Sequence, residues 1–139
     1  NKLTELNVNI NYITDGDIAG ALSVIGVTPK NDIYYSTGGG PEGVIVAAAL
    51  SCYGGQIQGK LVLDDEEKLR AKKLGITDFE KKYNIDDMVK GDVIFCATGV
   101  TSGDLANGVK DLGNEFEVNT FVLHKSQKII KSVTNIYNK

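Results

Sequence analysis

Ser36-Thr37-Gly38-Gly39-Gly40-Pro41-Glu42-Gly43 links a strand-like segment, Asp32-Ile33-Tyr34-Tyr35, to an alanine-rich apolar run, Val44-Ile45-Val46-Ala47-Ala48-Ala49-Leu50. β-Branched and aromatic types before the glycines predict a strand, and the apolar run after them predicts a buried helix. With no slack between strand end, tight turn and helix start, the first free helical N–H groups point past the strand end. Such a helix start is a ready site for an anion.

The run also satisfies G-x-G-x-x-G as Gly38, Gly40 and Gly43, and Asp64 follows at about the ~20-residue interval of a dinucleotide fold. Two features argue against that reading. Pro41 suits the first helical turn but takes one N–H out of the cradle. Glu42 places a carboxylate where a pyrophosphate would lie, which suits the helix dipole but repels a second anion. The carboxylate makes sense if a divalent cation bridges it to a phosphate. The alternative at this point is that Glu42 only stabilises the first helical turn.

Working outward, the 139 residues fit one domain, 1–139, with 42% hydrophobic and 24% charged residues. A net charge of −3 and the lack of any Lys/Arg block argue against a nucleic-acid partner. No apolar run approaches the ~20 residues of a membrane span, and no signal-peptide pattern opens the chain. Cys52 and Cys96 lie in apolar stretches and read as reduced core thiols of a cytoplasmic protein. His124 is the single histidine, which leaves little for a zinc site or a histidine triad. The opening Asn1-Lys2-Leu3-Thr4-Glu5-Leu6 has helical spacing but is too short to stand alone, so it reads as the tail of a longer helix and the chain as a fragment.

Asn9–Ile13 is an expected first strand. Asp15-Gly16-Asp17 follows, where either acid can cap the small apolar helix Ile18–Ile25, and Thr28-Pro29-Lys30-Asn31 turns into the next strand. Gln56–Leu63 alternates as a strand. The charged stretch Asp64–Lys90 reads as a solvated face with one surface helix, then short helical turns at Asp78–Tyr83 and Ile85–Val89. Asp92–Ala97 is continuously apolar, as in a strand covered on both faces, and runs into the loop Thr98–Asp104 and a brief helical turn, Leu105–Val109. Val118–His124 and Ile129–Val133 form a C-terminal hairpin. The alternation predicts an α/β fold with a mainly parallel sheet, flanking helices and that hairpin.

In a parallel sheet, ligands lie beyond the carboxyl ends of the strands. Three loops belong there: Asp15–Asp17, Thr37–Gly43 and Thr98–Asp104. Together they carry Asp15, Asp17, Glu42 and Asp104, many hydroxyls, and no Lys or Arg. Acids without a cation accept hydrogen bonds from sugar hydroxyls or hold Mg²⁺ or Mn²⁺. A phosphorylated polyol with a divalent ion satisfies both acids and helix start. Plain capping remains the other reading for Asp15 and Asp17, and a plain polar turn for Thr98–Asp104.

Four spaced motifs now coincide: Asp15-Gly16-Asp17-Ile18-Ala19-Gly20-Ala21, Tyr35–Gly43, Gln58-Gly59-Lys60-Leu61 and Phe95–Thr101. In this order they resemble the C-terminal half of the class II (GlpX-type) fructose-1,6-bisphosphatases, over nearly the whole chain. Gly40, where that family usually has alanine, is a small departure. The resemblance implies the fold of the lithium-sensitive, metal-dependent sugar phosphatases, and a gluconeogenic, cytoplasmic hydrolase that removes the 1-phosphate of fructose 1,6-bisphosphate with Mn²⁺ or Mg²⁺. It further implies that Asp15, Gly16, Asp17 and Gly39 contact the sugar bisphosphate and that Glu42 is a metal ligand. The remaining metal ligands, the water-activating residues and a phosphate-gripping basic segment would belong to an absent N-terminal half. The chain alone would then be incomplete, and the intact enzyme a homo-oligomer. The alternative kept beside this is a non-catalytic α/β module binding a nucleotide or phosphometabolite.

Overall fold

The structure is a computed structural model that describes residues 2–26 and 29–139. Asn1 of the expected helix tail and Thr28 of the expected turn lie outside the described residues. The elements follow in the order α1 (Lys2–Glu5), α2 (Asp17–Leu22), α3 (Gly40–Tyr53), β1 (Gln58–Lys60), α4 (Asp65–Lys73), β2 (Lys82–Asn84), α5 (Ile85–Met88), β3 (Ile94–Thr98), β4 (Lys110–Asp111), β5 (Glu115–His124) and β6 (Ile129–Asn138). None is a helix long and apolar enough to cross a membrane.

The expected mainly parallel sheet is not what forms. Every strand pair among the described residues is antiparallel: β1 with β2, and β5 with β3, β4 and β6. Parallel pairing needs a crossover, usually helical, between strands. The link from β3 to β5 has no helix, because the expected turn of helix at Leu105–Val109 does not form. Instead the loop closes on itself, with Val109 N–H donating to Val100 O (3.2 Å), Gly103 N–H to Ala106 O (3.1 Å) and Gly108 N–H to Ser102 Oγ (2.9 Å). A side chain at Gly108 would put its Cβ 2.6 Å from the Ser102 nitrogen, so the loop requires glycine there. Asn119, buried on β5, ties the loop to the hairpin. Its Oδ1 accepts from Asn107 N–H, and its Nδ2 donates to Ser132 and Thr134.

The two expected strands at Asn9–Ile13 and Asp32–Tyr35 form no regular secondary structure and belong to no ladder among the described residues. They lie side by side, held through side chains. Asn11 Nδ2 donates to Asn31 Oδ1 (2.9 Å), and Ile13 and Tyr34 both reach Gly20. Strand propensity reflects packing on a pleated surface, and Tyr12, Ile33 and Tyr35 are at least 80% exposed, with no such surface to pack on. Part of the expected helical turn at Asp78–Tyr83 becomes β2, which pairs with β1.

The core lies between α2, α3 and one face of the β3–β5–β6 sheet. Ala21 and Leu22 of α2, Val46, Ala49 and Leu50 of α3, Phe95 of β3 and Leu123 of β5 are all buried there. Small residues on α2 and α3 let the two helices sit close together, and α3 packs on β3 and β5. β3 is covered on one face only: Phe95 points in, so the pleat turns Ile94 and Cys96 out. Cys96 is therefore exposed, not a core thiol, and Cys52 is half-buried.

Candidate functional site

Asp17 opens α2 and Glu42 opens α3, and packing of the two helices brings both acids to the same glycine turn. Neither Asp15 nor Asp17 caps α2. The N-cap is Gly16, at φ +82°, a conformation that suits glycine, and no side chain bonds the helix start. Asp15 turns back locally, its Oδ1 accepting from Gly16 N–H at 2.7 Å. Asp17 instead reaches across to the segment before the turn. Its Oδ1 accepts from the Tyr34 hydroxyl at 2.8 Å, and its Oδ2 lies 3.0 Å from where a Cβ on Gly38 would be.

At α3 the N-cap is Gly39, with no side-chain cap and Pro41 in the first turn. The Glu42 side chain is exposed and folds back over Gly39, where a Cβ would collide with its carboxylate. Glu42 satisfies no backbone N–H as a cap, so its contribution to the helix is the dipole term alone, about 0.3–1 kcal/mol at an exposed site. Asp17, Gly38, Gly39 and Glu42 thus form one cluster around a helix start that has no side-chain cap.

The third loop does not join them. Asp104 forms an ion pair with Lys30 (2.7 Å) and borders a hollow of about 150 Å³ with Ala19, Leu22, Ser23 and Leu105, towards the far end of α2 from Asp17. A cation therefore does accompany one of the four acids, and it does so away from the cluster. A larger open hollow, about 580 Å³, is edged by Ser51, Gly55, Gln58, Asn84 and Lys125 at the C-terminal end of α3. Ser51, on its edge, stands nine residues along α3 from Glu42, a rise of roughly 14 Å.

His124, Asp92 and Ser126 do meet, but not as a nucleophile relay. Asp92 Oδ2 bonds both His124 Nε2 (2.9 Å) and Ser126 Oγ (2.6 Å), and Ser126 Oγ is 3.3 Å from the same nitrogen. A triad needs the acid and the nucleophile on opposite ring nitrogens. Here the cluster fastens the β5–β6 turn to the start of β3. Hydrogen bonds from Ser126 and then His124 hold the Asp92 carboxyl well below the usual carboxylate range.

The donors at the glycine turn are hard oxygens, the type Mg²⁺ and Mn²⁺ take. Among the described residues there is no group of three or more His, Cys, Asp or Glu able to hold an ion. Glu42 therefore fits as one ligand of a larger set, not as a complete site. Tyr34 and Gly38 are the members of the cluster that the sequence reading passed over. The available signal was Gly20, one helical turn after Asp17 on the same face of α2.

The family described as bacterial fructose-1,6-bisphosphatase, glpX-encoded, matches residues 1–137. The chain belongs to this family. It is 30% identical to Fructose-1,6-bisphosphatase 2 class 2 of Escherichia coli (strain K12), with 98% of this chain and 47% of that protein covered. It is 33% identical to a D-fructose 1,6-bisphosphatase class 2/sedoheptulose 1,7-bisphosphatase of Synechococcus sp. (strain JA-3-3Ab), with 99% of this chain and 44% of that protein covered. The chain thus spans about half the length of the GlpX-type relatives it matches. The mixed α/β architecture with antiparallel sheets is what this stretch of a GlpX-type chain builds here.

Proposed function

We propose that the full-length protein hydrolyses the 1-phosphate of fructose 1,6-bisphosphate with Mn²⁺ or Mg²⁺, and that this chain is its substrate-binding part. What supports the reading is the convergence of Asp17, Gly39 and Glu42 on the uncapped start of α3, in a chain of this family. Divalent ions, when bound, lower the pKa of water and offset charge on phosphoryl oxygens. Glu42 contributes one anchoring carboxylate, exposed and able to swing towards an ion. Asp15 and Asp17 accept hydrogen bonds from sugar hydroxyls, and the bare backbone at Gly16 and Gly39 lets the sugar ester approach closely. These contacts hold the ester in line for attack.

The rest of the reading follows from the family. The chain is one α/β unit, 1–139, corresponding to the C-terminal half of a lithium-sensitive type of sugar phosphatase. Its partner is an N-terminal half supplying the other ligands and the water-activating groups. The intact enzyme is cytoplasmic and homo-oligomeric. The test is phosphate release from fructose 1,6-bisphosphate with Mn²⁺, comparing the full-length protein, its Glu42→Ala variant and the 139-residue chain. The expected result is turnover by the full-length protein alone. A full-length protein that is silent with the bisphosphate and binds NAD(P) instead would overturn the reading.

A further inference from the structure

The hydroxyl of Tyr34 is the one side-chain donor bonded to the Asp17 carboxylate among the described residues. How it comes to be there is spelled out by α2. Asp17 and Gly20 are three residues apart, so they share a face of that helix. A Cβ on Gly20 would lie 2.5 Å from Ile13 Cδ1 and 2.8 Å from Tyr34 Cε2. Glycine at this position is therefore what lets the Tyr34 ring lie flush against α2, with its hydroxyl reaching up one turn to Asp17. Tyr34 also packs on the core cluster, which fixes the ring. The second Asp17 oxygen lies beside Gly38, 3.0 Å from where a Cβ would stand, so the Tyr34 bond is what holds the carboxylate.

We infer that Tyr34 is a positioning residue for substrate binding, holding the Asp17 carboxylate in the orientation that receives sugar hydroxyls. This rests on the reading of Asp17 as a substrate contact. A carboxylate offers about four lone-pair positions, and the Tyr34 hydroxyl occupies one, leaving the others for a polyol. Burial, joined by the Asp17 carboxylate itself, pushes the Tyr34 phenol up, so it remains a donor at neutral pH. Without that bond, Asp17 on the first turn of a six-residue helix is free to rotate towards solvent. Ground-state sugar contacts weaken as a result, and the groups that act on the phosphoryl centre are untouched.

The experiment uses the full-length enzyme and its Tyr34→Phe, Asp17→Asn and doubly substituted variants, with KM and kcat for fructose 1,6-bisphosphate and a thermal melt for each. Tyr34→Phe is expected to raise KM about fivefold with kcat within about twofold, the size of one ordinary net hydrogen bond. The double variant should be no worse than Asp17→Asn alone, since Tyr34 acts only through Asp17. Gly20→Ala, which favours the helix but displaces the ring, should raise KM similarly. If Asp17→Asn raises KM while Tyr34→Phe leaves it unchanged, or if the two effects add, the positioning role is overturned and the substrate reading stands. If Asp17→Asn leaves KM unchanged, the substrate reading itself fails and the inference goes with it.

Discussion

Glu42 and Gly39 illustrate how little space separates the residues of the cluster. The Glu42 carboxylate occupies the volume that any side chain on Gly39 would need. Gly39→Ala in the full-length enzyme is therefore expected to lower kcat/KM by about tenfold or more, about 1.4 kcal/mol, by displacing that carboxylate. Gly39 has φ −69°, which alanine adopts freely, so the melting temperature should hardly move. A melt and a phosphate-release assay on the same preparation check both halves of this expectation. Asp92 gives a pH prediction at the same scale. Its folded-state pKa is depressed by Ser126 and His124, so its contribution is fully present above the ordinary carboxylate value of about 3.9. That contribution is lost as pH falls further, through the depressed value. Asp92→Asn should flatten the fall in melting temperature between pH 5 and pH 2, whereas an unchanged acid limb would mean that the bonds to Ser126 and His124 add nothing.

Among the elements, the helices were the most legible, because their signals are local. Pro41 in the first turn and Gly54 after the last turn bracket α3, and Gly54 sits at φ +76° as a helix-ending glycine does. The acids before α4 form a full capping box: Asp64 Oδ1 accepts from Glu67 N–H at 2.8 Å, and Glu67 Oε2 from Asp64 N–H at 2.9 Å. Asp64→Ala should cost about 0.5–2 kcal/mol in a urea titration and leave turnover intact, since α4 is remote from Glu42 in the chain and carries none of the cluster. Sheet direction was not legible, because it depends on the path of the chain between strands and not on strand composition. The hairpin at β5 and β6 was readable from its short polar turn. The antiparallel pairing of β3 with β5 was not, since the Leu105–Val109 segment looks helical and instead folds back through Gly103 and Gly108. Asp104 was misplaced for a related reason: its loop does follow the carboxyl end of β3, but the Asp15–Asp17 and Thr37–Gly43 loops follow no strand of that sheet.

For the molecule as a whole, α3, with α2 packed on it, covers one face of the sheet, and the other is left open. Ile94 is 65% exposed and Tyr137 54%, on the face opposite buried Phe95 and Leu123. Cys96 shares that open face, while Cys52 packs at the core edge, with burial pushing its thiol up. Under native conditions a disulfide reagent should label Cys96 quickly and Cys52 only slowly, and equal rates would contradict this arrangement. Leu123, wholly buried between sheet and helices, should cost about 2–5 kcal/mol as Leu123→Ala. The hollow near Lys125 sits at the C-terminal end of α3, whereas the Asp17–Glu42 cluster sits at its start. The most direct measurement is Mn²⁺ titration of the full-length enzyme and its Glu42→Gln variant, followed by the electron paramagnetic resonance signal of free Mn²⁺. The account predicts that the variant, with an unchanged melt, binds one ion fewer per chain or binds it at least about tenfold more weakly. Equal stoichiometry and affinity in the two proteins would contradict it.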